Sequence, residues 1–314
     1  MTIGANERAW LRTFPETAHW RKVLPVRGGY GSDRKYEVWT RSGEHLLLRV
    51  ADERETRRKY AEFAFIQRCQ ALGFPMPRPV DCGLHAGKVY ELLTWVEGEP
   101  LTQELIGMPE SEQYRLGQEA GRALAAIHSV LLEPGERREA DGEVEARKRM
   151  VFRYLASRHR MAGDDATVMF VAKHVAYPKR LAGLHGDFHI GNLLLTAGGK
   201  LAVMDFDRRQ VGDRWQDFQR AQTFSVPRST AFVNGQIHAY FMGDPPQEFW
   251  EAFAYEAAYG AIRQIVWAES LGANATQQMQ MSLYFYSDVL LRGEYPGYAL
   301  RYFKDNSIAI HADE

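Results

Sequence analysis

The sequence predicts an α+β chain, mainly β over its first hundred residues and helical after them. Two observations predict this. Up to about residue 97, short β-type runs alternate with turns rich in glycine and proline; beyond Pro100 the apolar residues recur at steps of three and four. A chain of 314 residues has room for two parts, each with its own core. The turn "EGEP" marks the expected boundary, with an N-terminal lobe over 1–97 and a helical C-terminal lobe over 98–314.

The elements follow in order. "KYEVWT" and "HLLLRV" read as strands joined by the turn "RSGE", preceded by a glycine cluster in "GGYGS" (Gly28, Gly29, Gly31, Ser32). A polar helix is expected from Glu53 to Ala71, stopped by "GFPMP". "KVYELLTWV" is the next strand. Past the boundary, Tyr114, Gly117, Gly121, Leu124 and His128 fall on one face of a helix. "EPGERREADGEVEARKR" reads as an exposed loop entering another helix, and "KLAVMDF" as a short apolar strand. Trp250, Phe253, Ala254, Ala257, Ala258, Ala261 and Ile265 fit one side of a long helix near the end.

Composition excludes several classes. The apolar fraction of 45% and charged fraction of 25% are ordinary for a globular protein. A net charge of −1 argues against nucleic acid or an anionic membrane as partner. The start "MTIGANERAW" lacks an apolar signal core, and no apolar run has the length of a membrane span. Cys69 and Cys82 are too few for a disulfide framework or a zinc set, so a cytoplasmic chain with reduced thiols is expected.

The chemistry concentrates in "LHGDFHIGNLLL", where polar groups run directly into a strand. The string alone is compatible with a surface turn, since Asp and Asn favour turns. With "NLLLTA" as one strand, a turn at Gly198 and Gly199, and "KLAVMDF" as the next, a hairpin results. Its antiparallel pairing is expected to return Asp205 towards Asn192. Hard cations such as Mg²⁺ favour oxygen ligands of the kind Asn192 and Asp205 offer. Asp187 is then left to orient and deprotonate a hydroxyl, an arrangement suited to phosphoryl transfer from a nucleotide.

"HGDFHIGN" followed by "VMDFD" resembles the aminoglycoside phosphotransferase and choline kinase superfamily, over roughly residues 20–220. The family's catalytic loop reads H-G-D-x-x-x-x-N, with a metal-binding D-x-D or D-W/F-E/D after a hairpin. The resemblance implies a bilobal protein-kinase-like fold and a small-molecule kinase using Mg²⁺ with ATP or GTP. It implies Asp187 as catalytic base, Asn192 and Asp205 as metal ligands, Asp207 as an extension of the acidic metal side, and Asp217 as a brace for the loop. The resemblance also implies a lysine that binds the α- and β-phosphates on the strand after the glycine turn, paired with a helical glutamate; here the position is Arg49, and its expected partner is Glu62, fifteen residues before Pro77. Arginine keeps the charge, but its planar fork is not equivalent to an ammonium. "YELLTWVEG" resembles the family's hinge, which implies that backbone groups of Thr94, Trp95 and Val96 bond the base.

Plainer readings stand beside these. The glycine cluster lets backbone N–H groups approach the phosphate oxygens of a nucleotide but equally suits a hairpin turn, and no G-K-[ST] follows it. The hinge segment equally reads as a buried strand entering a turn. His128 reads as a core histidine, His185 as a brace for the loop, and His189 as either structural or substrate-side. A metal hydrolase using His185, Asp187 and His189 leaves Asn192 unused, and a sugar-nucleotide glycosyltransferase using Asp205 and Asp207 leaves the histidine loop unexplained. Outside the enzymes, Arg49 favours a catalytically weak nucleotide-binding or regulatory module. The acceptor is expected to be a small molecule with a hydroxyl, aminoglycosides or other antibiotics first. It should be met from about Asp213 onward, where Glu251, Glu256 and Glu269 either face a cationic acceptor or form a solvated helix face.

Overall fold

The computed structural model describes residues 4–26, 33–160, 164–270 and 272. Chain order is α1 (Ala5–Thr13), β1 (Trp20–Pro25), β2 (Arg34–Thr40), β3 (His45–Asp52), α2 (Thr56–Cys69), β4 (Pro79–His85) and β5 (Lys88–Thr94). It continues through β6 (Glu99–Pro100), α3 (Leu101–Glu104), α4 (Glu110–His128), α5 (Glu143–Leu155), α6 (Asp165–His174), β7 (Leu181–Leu184), β8 (Leu193–Leu195), β9 (Leu201–Val203), β10 (Gln210–Asp213), α7 (Thr230–Phe241) and α8 (Gln247–Glu269). Two compact units result. One comprises the residues up to Glu99 with Leu194–Asp207, the other Pro100–Leu193 with the described residues from Arg208 onward.

The first unit is built on a five-stranded antiparallel sheet of order β1-β2-β3-β5-β4. Alternation decides what each face carries. Tyr36 and Val38 of β2, Leu46, Leu48 and Val50 of β3, and Leu92 of β5 turn one way and pack with Leu11, Phe14 and Trp20. The intervening positions Lys35 and Arg49 lie on the opposite face, and α2 packs against β4 and β5. The helix expected over 53–71 is α2, with a single 3₁₀ turn at either end (Glu53–Glu55 and Gln70–Leu72).

The segment carrying Asp205 is fixed to this unit locally. The β8–β9 turn closes through Gly199 N donating to Thr196 O at 2.8 Å, and Val203 N donates to Pro75 O at 2.9 Å. Phe206, 1% exposed, meets Phe65 of α2 edge to face.

In the second unit the expected glycine face is a helix crossing. A Cβ at Gly117 or Gly121 would overlap the carbonyl oxygens of Phe232 and Gln236 on α7, so only glycine lets α4 and α7 approach this closely. A second core joins Val151 and Tyr154 of α5, Val168 and Val171 of α6, and Ala258, Ile262 and Ile265 of α8. The long helix expected near the end is α8, buried on more than one side: Phe249, Tyr259 and Val266 are buried along with Trp250, Phe253, Ala254 and Ala261, while Ala257 is half-buried. No helix among the described residues is long and apolar enough to cross a membrane.

Candidate active site

In the first unit the site is a cluster of buried charge. Arg49 is 2% exposed; its Nη1 pairs with Glu62 of α2, as expected, and its Nη2 lies 2.7 Å from Asp33. Glu91 of β5 is 3.7 Å from Nη1, with Asp207 at 3.5 Å and Asp205 at 3.9 Å from Nη2. Lys59, one helical turn before Glu62 and 1% exposed, contacts Asp33 and lies 2.9 Å from both Glu62 and Glu91. Such burial is tolerable only because each charge has an opposite neighbour. Burial and the adjacent Glu62 push the Glu91 carboxyl up to about 7. Burial also raises Asp33, but Arg49 and Lys59 outweigh it and hold that carboxyl down at about 2.

Asp205 has a backbone φ of +59°, a left-handed conformation that an aspartate adopts at some cost. Its carboxylate accepts from Lys35 Nζ at 2.7 Å. The Asp207 carboxyl is raised by burial and by Asp205, a sign that two carboxylates crowd one place. The Asp207 carbonyl is tied to Arg58 Nη1 at 2.7 Å. Among the described residues no group of three or more His, Cys, Asp or Glu side chains is arranged as a metal cage. Two crowded carboxylates are a ligand set of the kind Mg²⁺ takes, since it binds one or two carboxylates and completes its shell with water and phosphate.

The hinge residues are placed unequally. Thr94 N donates to Arg78 O at 2.8 Å and Trp95 N to His45 O at 2.9 Å, so both N–H groups are engaged in the unit itself. Val96 N–H makes no such bond among the described residues. Gly28, Gly29, Gly31 and Ser32 lie outside the described residues.

In the second unit β7 and β10 pair antiparallel and deliver the loop that begins at His185. Asp217, 2% exposed, accepts from the backbone N–H of His185 at 2.8 Å and of Gly186 at 2.7 Å. His128 Nε2 lies 3.0 Å from the same carboxylate, and His128 Nδ1 lies 2.8 Å from the Tyr240 hydroxyl. His128 is thus a core histidine that fixes the brace. Gly186 has φ +81°, and any Cβ there would overlap the Arg208 carbonyl oxygen; no other residue turns the chain so sharply at that point.

The loop holds itself together as well. His185 is fully buried, and its Nδ1 accepts from Asp187 N at 3.3 Å. Asn192 Nδ2 donates to the Asp187 carbonyl at 2.9 Å, and its own Oδ1 accepts nothing among the described residues. His189 Nδ1 accepts from Gly191 N at 3.0 Å, its ring stacks on Phe224, and burial pushes it down to about 4, so it is neutral near pH 7.

Two arginines face the Asp187 carboxylate: Arg220 Nε at 2.9 Å from Oδ1, off the line of a hydrogen bond, and Arg208 Nε at 3.5 Å from Oδ2. Burial alone would raise this carboxyl, yet Arg220, His189 and Arg208 together hold it below the usual carboxylate value. Oδ1 is buried and accepts no hydrogen bond among the described residues.

Two of the three acids expected to meet a cationic acceptor or solvent are otherwise occupied. Glu256 is neither solvated nor available: it is 7% exposed and 2.8 Å from Arg147 Nη1. Glu269 accepts from Ser157 at 2.5 Å and lies 2.8 Å from His159 Nδ1, while Glu251 alone of the three is exposed. A cavity of about 460 Å³ reaches Gly186, beside Asp187. Three of its four acids are paired with arginines, Glu139 with Arg209 at 2.8 Å, Glu143 with Arg147 at 2.7 Å and Glu256 with Arg147 at 2.8 Å, and the fourth is the brace Asp217.

A five-stranded antiparallel sheet in one unit and a helical second unit holding the braced loop define a kinase-like phosphotransferase fold. The chain belongs to the phosphotransferase enzyme family, whose profile matches residues 22–253. In fold it is similar to a thermostable mutant of aminoglycoside phosphotransferase APH(4)-Ia, at 16% identity and TM-score 0.63 over 92% of this chain and 99% of that one. It is also similar to macrolide 2'-phosphotransferase MphH from Brachybacterium faecium, at 15% identity and TM-score 0.60 over 85% and 95% of the two chains. An aminoglycoside phosphotransferase from Alicyclobacillus acidocaldarius subsp. acidocaldarius matches at 13% identity and TM-score 0.60 over 96% and 98%. No curated protein matches the chain in sequence.

Proposed function

We propose that the chain is a small-molecule kinase that transfers the γ-phosphoryl group of ATP or GTP to a hydroxyl of a small acceptor. The observation that carries this reading is the state of Asp187: an ionised carboxylate on a braced loop, with a buried oxygen that accepts no hydrogen bond among the described residues. Asp187 orients the acceptor hydroxyl and takes its proton. A carboxyl held this low is a weak base, so its main contribution is position, with the proton passing late, as suits a loose phosphoryl-transfer transition state. Asp205 and Asp207 would hold Mg²⁺, which when bound neutralises phosphate charge. Arg220 and Arg208 keep Asp187 ionised and in place.

For the acceptor, the pairing of cavity acids with arginines favours a neutral or mixed-charge molecule over a polycation. Hydroxyl-bearing antibiotics remain the first class to test, and macrolides and aminoglycosides, named for the similar folds, belong in the same panel. The test is nucleoside diphosphate release with Mg²⁺ and ATP or GTP across that panel; release that depends on one acceptor class is expected.

A second reading is favoured by the enclosure of Arg49 among carboxylates, which leaves position 49 poorly placed to reach a phosphate. Under it the chain is a catalytically weak nucleotide-binding or regulatory module. Binding of nucleotide without acceptor-dependent release across the panel is the outcome that reading expects.

A further inference from the structure

The register of the sheet sets Lys35 of β2 directly opposite Arg49 of β3, and Arg49 directly opposite Glu91 of β5. Opposed residues share a face, so two cations and a carboxylate form one transverse row. The two cations are held very differently. Carboxylates of Asp33, Glu62, Glu91, Asp205 and Asp207 all lie within 4.0 Å of the terminal nitrogens of Arg49, which is 2% exposed. Lys59 crowds three of those carboxylates from α2. A guanidinium enclosed in this way acts as a brace, because withdrawing it would leave buried carboxylates uncompensated. Lys35 has a side chain 16% exposed, and among the described residues its ammonium contacts one carboxylate, that of Asp205, itself 30% exposed. It can leave that partner without baring a buried charge.

We propose that Lys35, and not Arg49, is the cation of this unit that contacts the phosphates of a bound nucleoside triphosphate. This rests on the nucleotide-dependent reading of the chain given above. The ammonium expected at position 49 comes instead from the neighbouring strand, and the arginine takes the buried position, where its planar fork pairs with several carboxylates at once. A lysine ammonium is a compact point charge with three donors, suited to phosphate oxygens. Its release from Asp205 also frees a carboxylate oxygen for the divalent ion.

The test is calorimetric titration of ATP, GTP and the corresponding nucleosides into the full chain, with and without Mg²⁺, alongside thermal melts. Lys35→Met is expected to bind triphosphate about ten- to a hundredfold more weakly, the loss of one charge-assisted hydrogen bond, with nucleoside affinity and Tm unchanged. Lys35→Arg is expected to recover part of that loss, and Arg49→Lys to lower Tm. Triphosphate binding by Lys35→Met as tight as wild type overturns the proposal. Equal loss for nucleoside and triphosphate also overturns it, since the lysine would then act through the fold. A wild-type chain that binds neither ATP nor GTP removes the nucleotide-dependent reading itself, a result separable from the other two.

Discussion

Asp217 and His185, separated by 32 positions, are joined by a hydrogen bond from the His185 backbone nitrogen to Asp217 Oδ2 at 2.8 Å. The other carboxylate oxygen accepts the next N–H of the loop, from Gly186. Asp217→Asn therefore replaces one of two charged acceptors with an NH₂ that faces an N–H donor. The expected cost is about 2–3 kcal/mol of stability, read as a lower midpoint in denaturant. Turnover should fall more than nucleotide affinity, because the loss falls on the loop that carries Asp187.

Arg220 is the cation nearest to Asp187 and is buried beside it. Arg220→Met keeps an unbranched apolar stem and removes the charge. The expected result is a kcat about ten- to a hundredfold lower, the equivalent of one lost charge interaction, with nucleotide Kd unchanged. Steady-state kinetics combined with equilibrium nucleotide binding checks this. An unchanged kcat would remove Arg220 from the positioning of Asp187.

Asp33 provides a pH signature for the buried cluster. Its folded-state value of about 2 lies below the ordinary 3.8, so it adds stability above the ordinary value, and that stability is lost as pH falls towards 2. The contribution at neutral pH is about 2 kcal/mol. Asp33→Asn should be less stable than wild type at pH 7, and the gap should close between about pH 4 and pH 2. Thermal melts of both proteins over that range measure it.

The parts of this fold legible in the sequence are those with strong local signals. β2 alternates cleanly and is joined by the "RSGE" turn to the apolar run of β3, α2 is stopped by Gly73 and Pro75, and the glycine face of α4 announces a close helix partner. The edge strands β1 and β4 were not legible. Both lie at the margins of the sheet, and β4 carries Pro79, Asp81 and Gly83, residues depleted from strands and tolerated only at edges.

At the site, the loop from His185 to Asn192 and the Arg49–Glu62 pair could be read from spacing and resemblance. Asp33, Lys59, Glu91 and Arg220 could not, because a charged residue in a sequence reads as solvated until packing shows it buried. Lys35 could not be counted from the turn either: the pairing of β2 with β3 centres on Ser42, half a position from the middle of "RSGE", and counting back from Arg49 through that middle arrives at Tyr36.

The most direct measurement of the central claim compares wild type with Asp187→Asn, following acceptor-dependent release of nucleoside diphosphate and nucleotide affinity in the same preparations. The expected result is loss of release by at least about a hundredfold, the scale of a removed general base, with nucleotide Kd nearly unchanged. Release at the wild-type rate from Asp187→Asn, or an equal loss of binding and release, would contradict the role assigned to Asp187.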